Sequence, residues 1–176
     1  MSETIWTTTP SPVGELLLTG DGHTLHALRL ADADAPGVVA NGHRRDDRAF
    51  AEARAQLQQY FGGTRTTFQL SLAPRGTPFQ LRVWEALRHI PYGTTASYGE
   101  VAAAVGRPSA CRAVGLANGR NPIAIIVPCH RVIGADGRLV GYGGGLDRKR
   151  YLLEHEASAP GRHVHGDQRL DAGRGP

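Results

Sequence analysis

The residue types able to do chemistry gather in one short run, Pro128-Cys129-His130-Arg131. Cysteine attacks as its thiolate, and a free thiol is little ionised at neutral pH. Cys129 has an imidazole and a guanidinium as sequence neighbours and follows a proline that restricts the local backbone. The only other cysteine, Cys111, has a claim too, because a thiol at a helix N-terminus beside Arg112 would have a lowered pKa. Either could instead be a buried, inert thiol. Residue types and spacing favour Cys129 and leave Cys111 open. Two cysteines and eight scattered histidines give no zinc spacing, so no metal and no cofactor is expected. A disulfide is not expected in a reducing compartment.

A thiol of this kind needs a base, and the base needs an orienting group. Glu156 lies four residues after Leu152 on the last helical stretch and so faces partly inward. An inward carboxylate requires a partner, which His130 or Arg131 could supply. A Glu156–His130–Cys129 relay would orient the imidazole and draw the thiol proton. A plain Glu156–Arg131 ion pair is the structural alternative, and the two can coexist.

The elements that must position these groups read as α+β. Glu15–Thr19 and Thr24–Leu30 flank Asp21-Gly22, a hairpin signal. Asp47–Phe61 reads as a helix with Phe50, Ala53, Leu57, Tyr60 and Phe61 on one core stripe, ended by Gly62-Gly63. Ala31–Arg45 reads as a polar loop, and Phe68, Leu70 and Leu72 alternate as a half-buried strand. A boundary is expected near Pro74-Arg75-Gly76, giving a domain over 1–75 and a second over 76–156.

The second domain opens with strong helix signals. Thr77, Pro78 and Gln80 form a capping box with proline at N1, and Phe79, Val83, Ala86, Leu87 and Ile90 follow at helical spacing. Pro91-Tyr92-Gly93 breaks that helix. Ser97 and Glu100 make a second capping box before a short helix through Val105; Gly106-Arg107-Pro108 turns the chain, and Ser109 can cap a third helix to about Asn118. Two short helices across such a turn read as a helix-turn-helix. Its second helix, Cys111-Arg112-Ala113-Val114-Gly115-Leu116-Ala117-Asn118, offers small side chains and one arginine. Small residues allow close approach to a narrow minor groove, with Arg112 the single protruding group; a buried helix packed through Ala and Gly is the alternative.

Ile123–Val127 reads as a buried strand or extended segment leading to Cys129. A second hairpin is expected around Ala135-Asp136-Gly137, then a glycine loop at 143–145. Asp147 caps the last helix, with a Leu146–Tyr151 staple. The tail over 157–176 is expected to be disordered.

Charge agrees with this division. Residues 79–150 hold ten basic and four acidic groups, a net of +6, whereas 1–78 and 151–176 each sum to −1. A basic middle segment suits phosphate, although a solvated basic face would look the same. No apolar run is long enough to span a membrane and no signal peptide is read at the N-terminus, so a cytoplasmic location is expected. A monomer in solution is a separate expectation, not drawn from these features.

Pro128-Cys129-His130-Arg131-Val132, with Asn121-Pro122 upstream, resembles the acceptor motif of the O6-alkylguanine-DNA alkyltransferases. The Ser97-Tyr98 helix start, the Cys111–Gly115 stretch, the Tyr142–Leu146 loop and Leu152–Glu156 fall in that family's order, so the likeness covers about 77–156. The resemblance implies an RNase H-like N-terminal domain and a helix-turn-helix acceptor domain. It implies Cys129 as alkyl acceptor, His130 (through a water) and Glu156 as its relay, and Asn121 as a hinge. Arg112 resembles the finger that fills the vacated base site, and Tyr98 the residue that crowds a phosphate and meets the extruded base. Ser97, Ala113, Gly115 and Asn118 complete the implied DNA contacts, and Tyr142, Gly143 and Ala124 the implied guanine pocket. The implied partner is double-stranded DNA carrying O6-alkylguanine, entered from the minor groove. Ala124 stands where some relatives have Pro or Ser, which bears on the alkyl group admitted. A lesion-sensing module without an acceptor and a thiol hydrolase are the competing functions; methyl gain by mass and ester turnover distinguish them.

Overall fold

The computed structural model describes residues 3–31 and 42–158. Near the N-terminus, β1 (Ile5–Thr9) pairs antiparallel with β2 (Leu16–Gly20), and β2 with β3 (Leu25–Leu30). The β2–β3 turn is held by the Asp21 carboxylate, which accepts from the His23 and Thr24 amides at 2.9 and 2.7 Å. A two-residue strand, β4 (Arg44–Arg45), joins β1 in parallel inside the segment expected to be loop, completing the order β3-β2-β1-β4.

The helix after it, α1 (Ala51–Phe61), begins four residues later than its periodicity predicts. The reason is local: Asp46 accepts from the Arg48 and Ala49 amides through its side chain and carbonyl, a turn that competes with helix. Phe50 then enters with φ 56° and is buried, its amide bound to the Gly22 carbonyl at 3.0 Å. Ala53, Leu57 and Tyr60 are buried as the stripe requires. The 68–72 segment alternates in burial, yet it forms a single bridge, Leu25 with Leu72, rather than a strand.

In the second half, α2 (Pro78–Arg88) and α3 (Tyr98–Ala104) carry both expected capping boxes. α4 (Cys111–Gly119) starts differently. Ser109 sits in the preceding turn, one residue too early to reach the first free amides, so Ala110 is the N-cap and no side chain caps it. Trp84 of α2 ties the pair together by donating its indole N–H to the Ala117 carbonyl at 2.8 Å. The expected hairpin around Asp136 is only a turn; its first arm, β6 (Val132–Ile133), pairs in parallel with β5 (Ala96–Ser97) instead. The final helix, α5 (Leu146–Ala157), is capped by Gly145 at φ 90°. Asp147 is inside the helix, and Leu146 and Tyr151 are both exposed, so neither the cap nor the staple forms. Of the tail expected to be disordered over 157–176, Ala157 still belongs to α5 and Ser158 is its C-cap, while 159–176 lie outside the described residues.

One apolar core runs from Leu16, Leu28 and Tyr60 through Val83, Val114 and Ile123 to Leu152. The outer edge of β3 is where the halves meet by backbone: Leu28 donates to the Pro122 carbonyl at 2.9 Å and accepts from the Ala124 amide at 3.0 Å. No helix among the described residues is long and apolar enough to cross a membrane. Thr77→Ala removes a cap that satisfies an otherwise free α2 amide and should cost about 1 kcal/mol. A fall in melting temperature of about 2–4 °C is expected, and an unchanged thermal melt would show that the capping box adds nothing.

Candidate active site

The segment before the thiol is a tight buried turn, not the extended strand its apolar run suggests. Asn121 organises it. Its side-chain oxygen accepts from the Ile123 amide at 3.0 Å, and its Nδ2 donates to the Val127 carbonyl at 2.7 Å. The Val127 amide closes back on the Ile123 carbonyl at 3.0 Å, and Ile125 is forced to φ 70°. A β-branched residue there costs about 1–3 kcal/mol and persists only where its surroundings fix it. Pro128 then leads into one 3-10 turn, Cys129–Arg131, whose three residues are all buried.

Behind this turn stands Glu156, wholly buried on α5. Its Oε1 accepts from His130 Nε2 at 2.7 Å, Arg131 at 2.9 Å and the Tyr60 hydroxyl at 2.8 Å. Its Oε2 accepts from Arg131 Nε at 2.9 Å and the Gly93 amide at 3.0 Å. The Glu156–His130 hydrogen bond and the Glu156–Arg131 ion pair therefore coexist on one carboxylate. Burial opposes ionisation of Glu156, but the hydrogen bonds from His130 and Arg131 and the Arg131 charge outweigh it and hold the carboxyl well below the usual range.

Burial acts the other way on the thiol and the imidazole. It pushes Cys129 up, opposed by a hydrogen bond from Asn121 and the charge of Lys149. It pushes His130 down, with Glu156 only partly offsetting. His130 is thus a neutral imidazole whose Nε2–H points at the carboxylate. Its buried Nδ1 has no hydrogen-bond partner among the described residues, and is left as the acceptor.

Lys149 is a participant that sequence reading missed. It is fully buried and donates to the carbonyls of Val132, Val140 and Gly141 at 2.6, 3.1 and 3.3 Å. It thereby ties the 134–145 loop to the strand that follows the thiol, and burial lowers its pKa while Cys129 opposes the fall. Basic residues on surface helices are the rule, so its sequence position carries no signal of burial.

The remaining expected residues divide into three groups. Tyr98 is half-buried, with its hydroxyl donating to the Val140 carbonyl at 2.8 Å and its ring over Gly115 of α4. Burial first, and then the Cys129 charge, raise the Tyr142 hydroxyl pKa. Asn121, Ala124 and Gly143 line one cleft of about 390 Å³ with Leu28, Arg29, Leu30, Gly119 and Arg120. On α4, Cys111, Arg112 and Ala113 are exposed and Leu116 is 65% exposed, an outer face of small residues, one arginine and one leucine. Ser97 is half-buried, its hydroxyl occupied in capping α3. Asn118 is a correction: it faces inward, buried, with its Nδ2 on the Cys129 carbonyl at 3.3 Å, because its position shares the inner stripe with Val114 and Ala117. It supports the thiol and does not belong to an outer face.

Glu156 also sets a pH dependence. Its folded pKa lies below the ~4.3 of an unfolded glutamate. Its stabilisation is complete above that value and is lost as pH falls toward the folded one. Glu156→Gln strands Arg131 and should cost about 3–5 kcal/mol at neutral pH. The gap from wild type should shrink between about pH 5 and pH 3. Urea denaturation across that range checks this; a gap independent of pH would show that the carboxylate's charge is not what stabilises.

Two family models match successive parts of the chain. Residues 4–74 match the ribonuclease-like domain of 6-O-methylguanine DNA methyltransferase, and 78–158 match its DNA binding domain. A methylated-DNA–protein-cysteine methyltransferase of Mycobacterium leprae is 58% identical over 147 residues, 83% of this chain and 88% of that protein. A solved variant of the Mycobacterium tuberculosis O6-methylguanine methyltransferase superposes with a TM-score of 0.85 at 52% identity, covering 92% of this chain and 97% of the other. The Mycobacterium tuberculosis protein in complex with DNA gives 0.82 at 54%, covering 88% and 94%. With both domain models matched and relatives that share most of the sequence span and of the fold, the chain belongs to the 6-O-methylguanine DNA methyltransferase family.

Proposed function

We propose that this protein repairs double-stranded DNA by moving the O6-alkyl group of an extruded guanine irreversibly onto Cys129, once per molecule. The observation that carries the reading is the buried Glu156–His130 pair beside a thiol that burial keeps protonated. Such a thiol needs a base, and neutral His130 has one nitrogen committed to Glu156 and the other open. Adjacent residues seldom bring their side chains together, so Nδ1 takes the thiol proton through one water. The sulfur then attacks the alkyl carbon, the carbon–O6 bond breaks, and its electron pair leaves on guanine. Imidazolium paired with Glu156 holds the proton, and donors at the base stabilise the anion. The product is a thioether that nothing in the chain can cleave.

A base within a duplex hides O6, so it must be flipped at a cost of a few kcal/mol. In this reading the exposed face of α4 enters the minor groove, with Ala113 and Gly115 permitting close approach, Arg112 filling the vacated site and Ser97 near the backbone. Tyr98 exchanges the Val140 carbonyl for the extruded base. Tyr142, Ala124 and the Gly143 amide form the guanine pocket, and Asn121 joins the helix-turn-helix to the acceptor turn. Residues 1–75 serve as a structural domain and 76–156 bind DNA and accept the alkyl group. The protein acts as a cytoplasmic monomer.

Mass spectrometry after exposure to an O6-methylguanine duplex should show a gain of one methyl, with a plateau at one transfer per molecule. Cys129→Ser should gain none while still binding duplex, and Cys111→Ser should react normally. No gain in the wild type would leave a lesion sensor, and several transfers per molecule would end the one-use mechanism. Arg112→Ala should slow repair of duplex by about tenfold or more, the scale of losing a stacking partner worth about 1–3 kcal/mol. The same variant should react almost normally with free O6-benzylguanine, because a free base needs no extrusion. Equal losses on both substrates would remove Arg112 from base flipping.

A further inference from the structure

Tyr60 lies on α1, in the half of the chain that precedes the acceptor, yet its side chain ends inside the acceptor machinery. It is fully buried, and its hydroxyl donates to Glu156 Oε1, the same oxygen that receives His130 Nε2. Its ring is enclosed by Phe61, Phe68, Tyr92 and His155 at centroid distances of 5.1–6.0 Å. Its own carbonyl meets His155 Nε2 at 2.8 Å. Burial and the Glu156 charge push the phenol far above its ordinary ionisation range, so it is a donor at every working pH.

We infer that Tyr60 is a positioning residue that, by its hydrogen bond to Glu156 Oε1, weakens the basicity of the Glu156–His130 pair and sets the pH at which Cys129 reacts. The inference rests on the relay proposed above. Its physics is competition for one oxygen. Each donor to Oε1 withdraws charge, so the carboxylate polarises the imidazole less and Nδ1 becomes a weaker base. Glu156 does not need Tyr60 to be held, since Arg131 grips both oxygens and Gly93 adds a third point. The hydroxyl is therefore available as a restraint: it keeps the thiol protonated and unreactive toward stray electrophiles until a base is seated.

The other titratable or charged groups facing the pair are Arg131 on the same turn, Lys149 and His155 on α5, Tyr92 after α2, Tyr142 and Cys129. Tyr60→Phe alters none of them and keeps the ring packing. Removing the donor makes Glu156 more basic, His130 a better acceptor, and the thiolate accessible at lower pH. The test is single-turnover methyl transfer from a saturating O6-methylguanine duplex across pH 5.5–9, full-length chain, with thermal melts in parallel. Tyr60→Phe should move the midpoint of the rate profile to lower pH by about 0.5–1 unit, a rate gain of roughly three- to tenfold below the midpoint. Replacing Tyr60 by 3-fluorotyrosine, a stronger donor, should move it the opposite way, and decides the matter if the Phe variant folds poorly. Superimposable profiles would reduce Tyr60 to packing, and an alkaline shift in Tyr60→Phe would make it an activator; either overturns the inference. A wild type that takes no methyl would instead overturn the proposed function itself.

Discussion

A single buried carboxylate organises this molecule. Glu156 has no exposure to water, and an ionised carboxyl in that position is costly unless every lone pair is satisfied. It accepts five hydrogen bonds, from α1, the loop after α2 and the 3-10 turn that carries the thiol. Those segments are far apart in sequence, and one charge draws them together. Helix α5 is therefore not an appendage: it delivers the group on which the thiol-bearing turn is built.

The thiol is held by a second set of constraints that share no atoms with the first. Asn121 and Asn118 bind the Val127 and Cys129 carbonyls, and Lys149 binds Val132 from the other side. The β3 edge supplies two backbone hydrogen bonds to the turn, which also covers a strand edge that would otherwise be free to pair elsewhere. This is the arrangement a precise site needs, in which each group near the reacting atom is fixed by others. The strained Ile125 is part of the same economy, since the surrounding bonds sustain a conformation that the residue alone would leave.

What the sequence made legible was local. The capping boxes of α2 and α3, the Asp21 turn and the α1 stripe depend on residues within four or five positions of one another, and each formed. The Pro-Cys-His-Arg run and the inward Glu156 were readable because a nucleophile, a base and a carboxylate are distinctive types. Misreadings arose wherever distant partners decided. The 123–127 run is apolar because it is buried, and a buried turn and a buried strand share that pattern. The β5–β6 pair joins two-residue strands from distant parts of the chain, which no periodicity can reveal. Tyr60 fitted its core stripe so well that its hydroxyl escaped notice, and Lys149 looked like any helix lysine. Asn118 was placed among the DNA contacts by the family resemblance, whereas its stripe position turns it inward.

Asn118 also shows how binding and chemistry are joined. α4 presents Arg112, Ala113 and Leu116 on its outer face, while its inner face holds the Cys129 carbonyl through Asn118 and the Trp84 indole through Ala117. Helix and thiol thus move as one body. Cys129 itself is only 6% exposed and is pinned on both sides, so it has no freedom to reach outward. In the proposed reaction the travel must then be made by the base. A helix seated against the duplex fixes the distance between groove and thiol, and the extruded nucleotide spans it. In that reading, rigidity in the protein and deformation in the DNA are two sides of one geometric requirement: the thiol stays protected in its buried turn, and a base that leaves its stack is the one able to meet it.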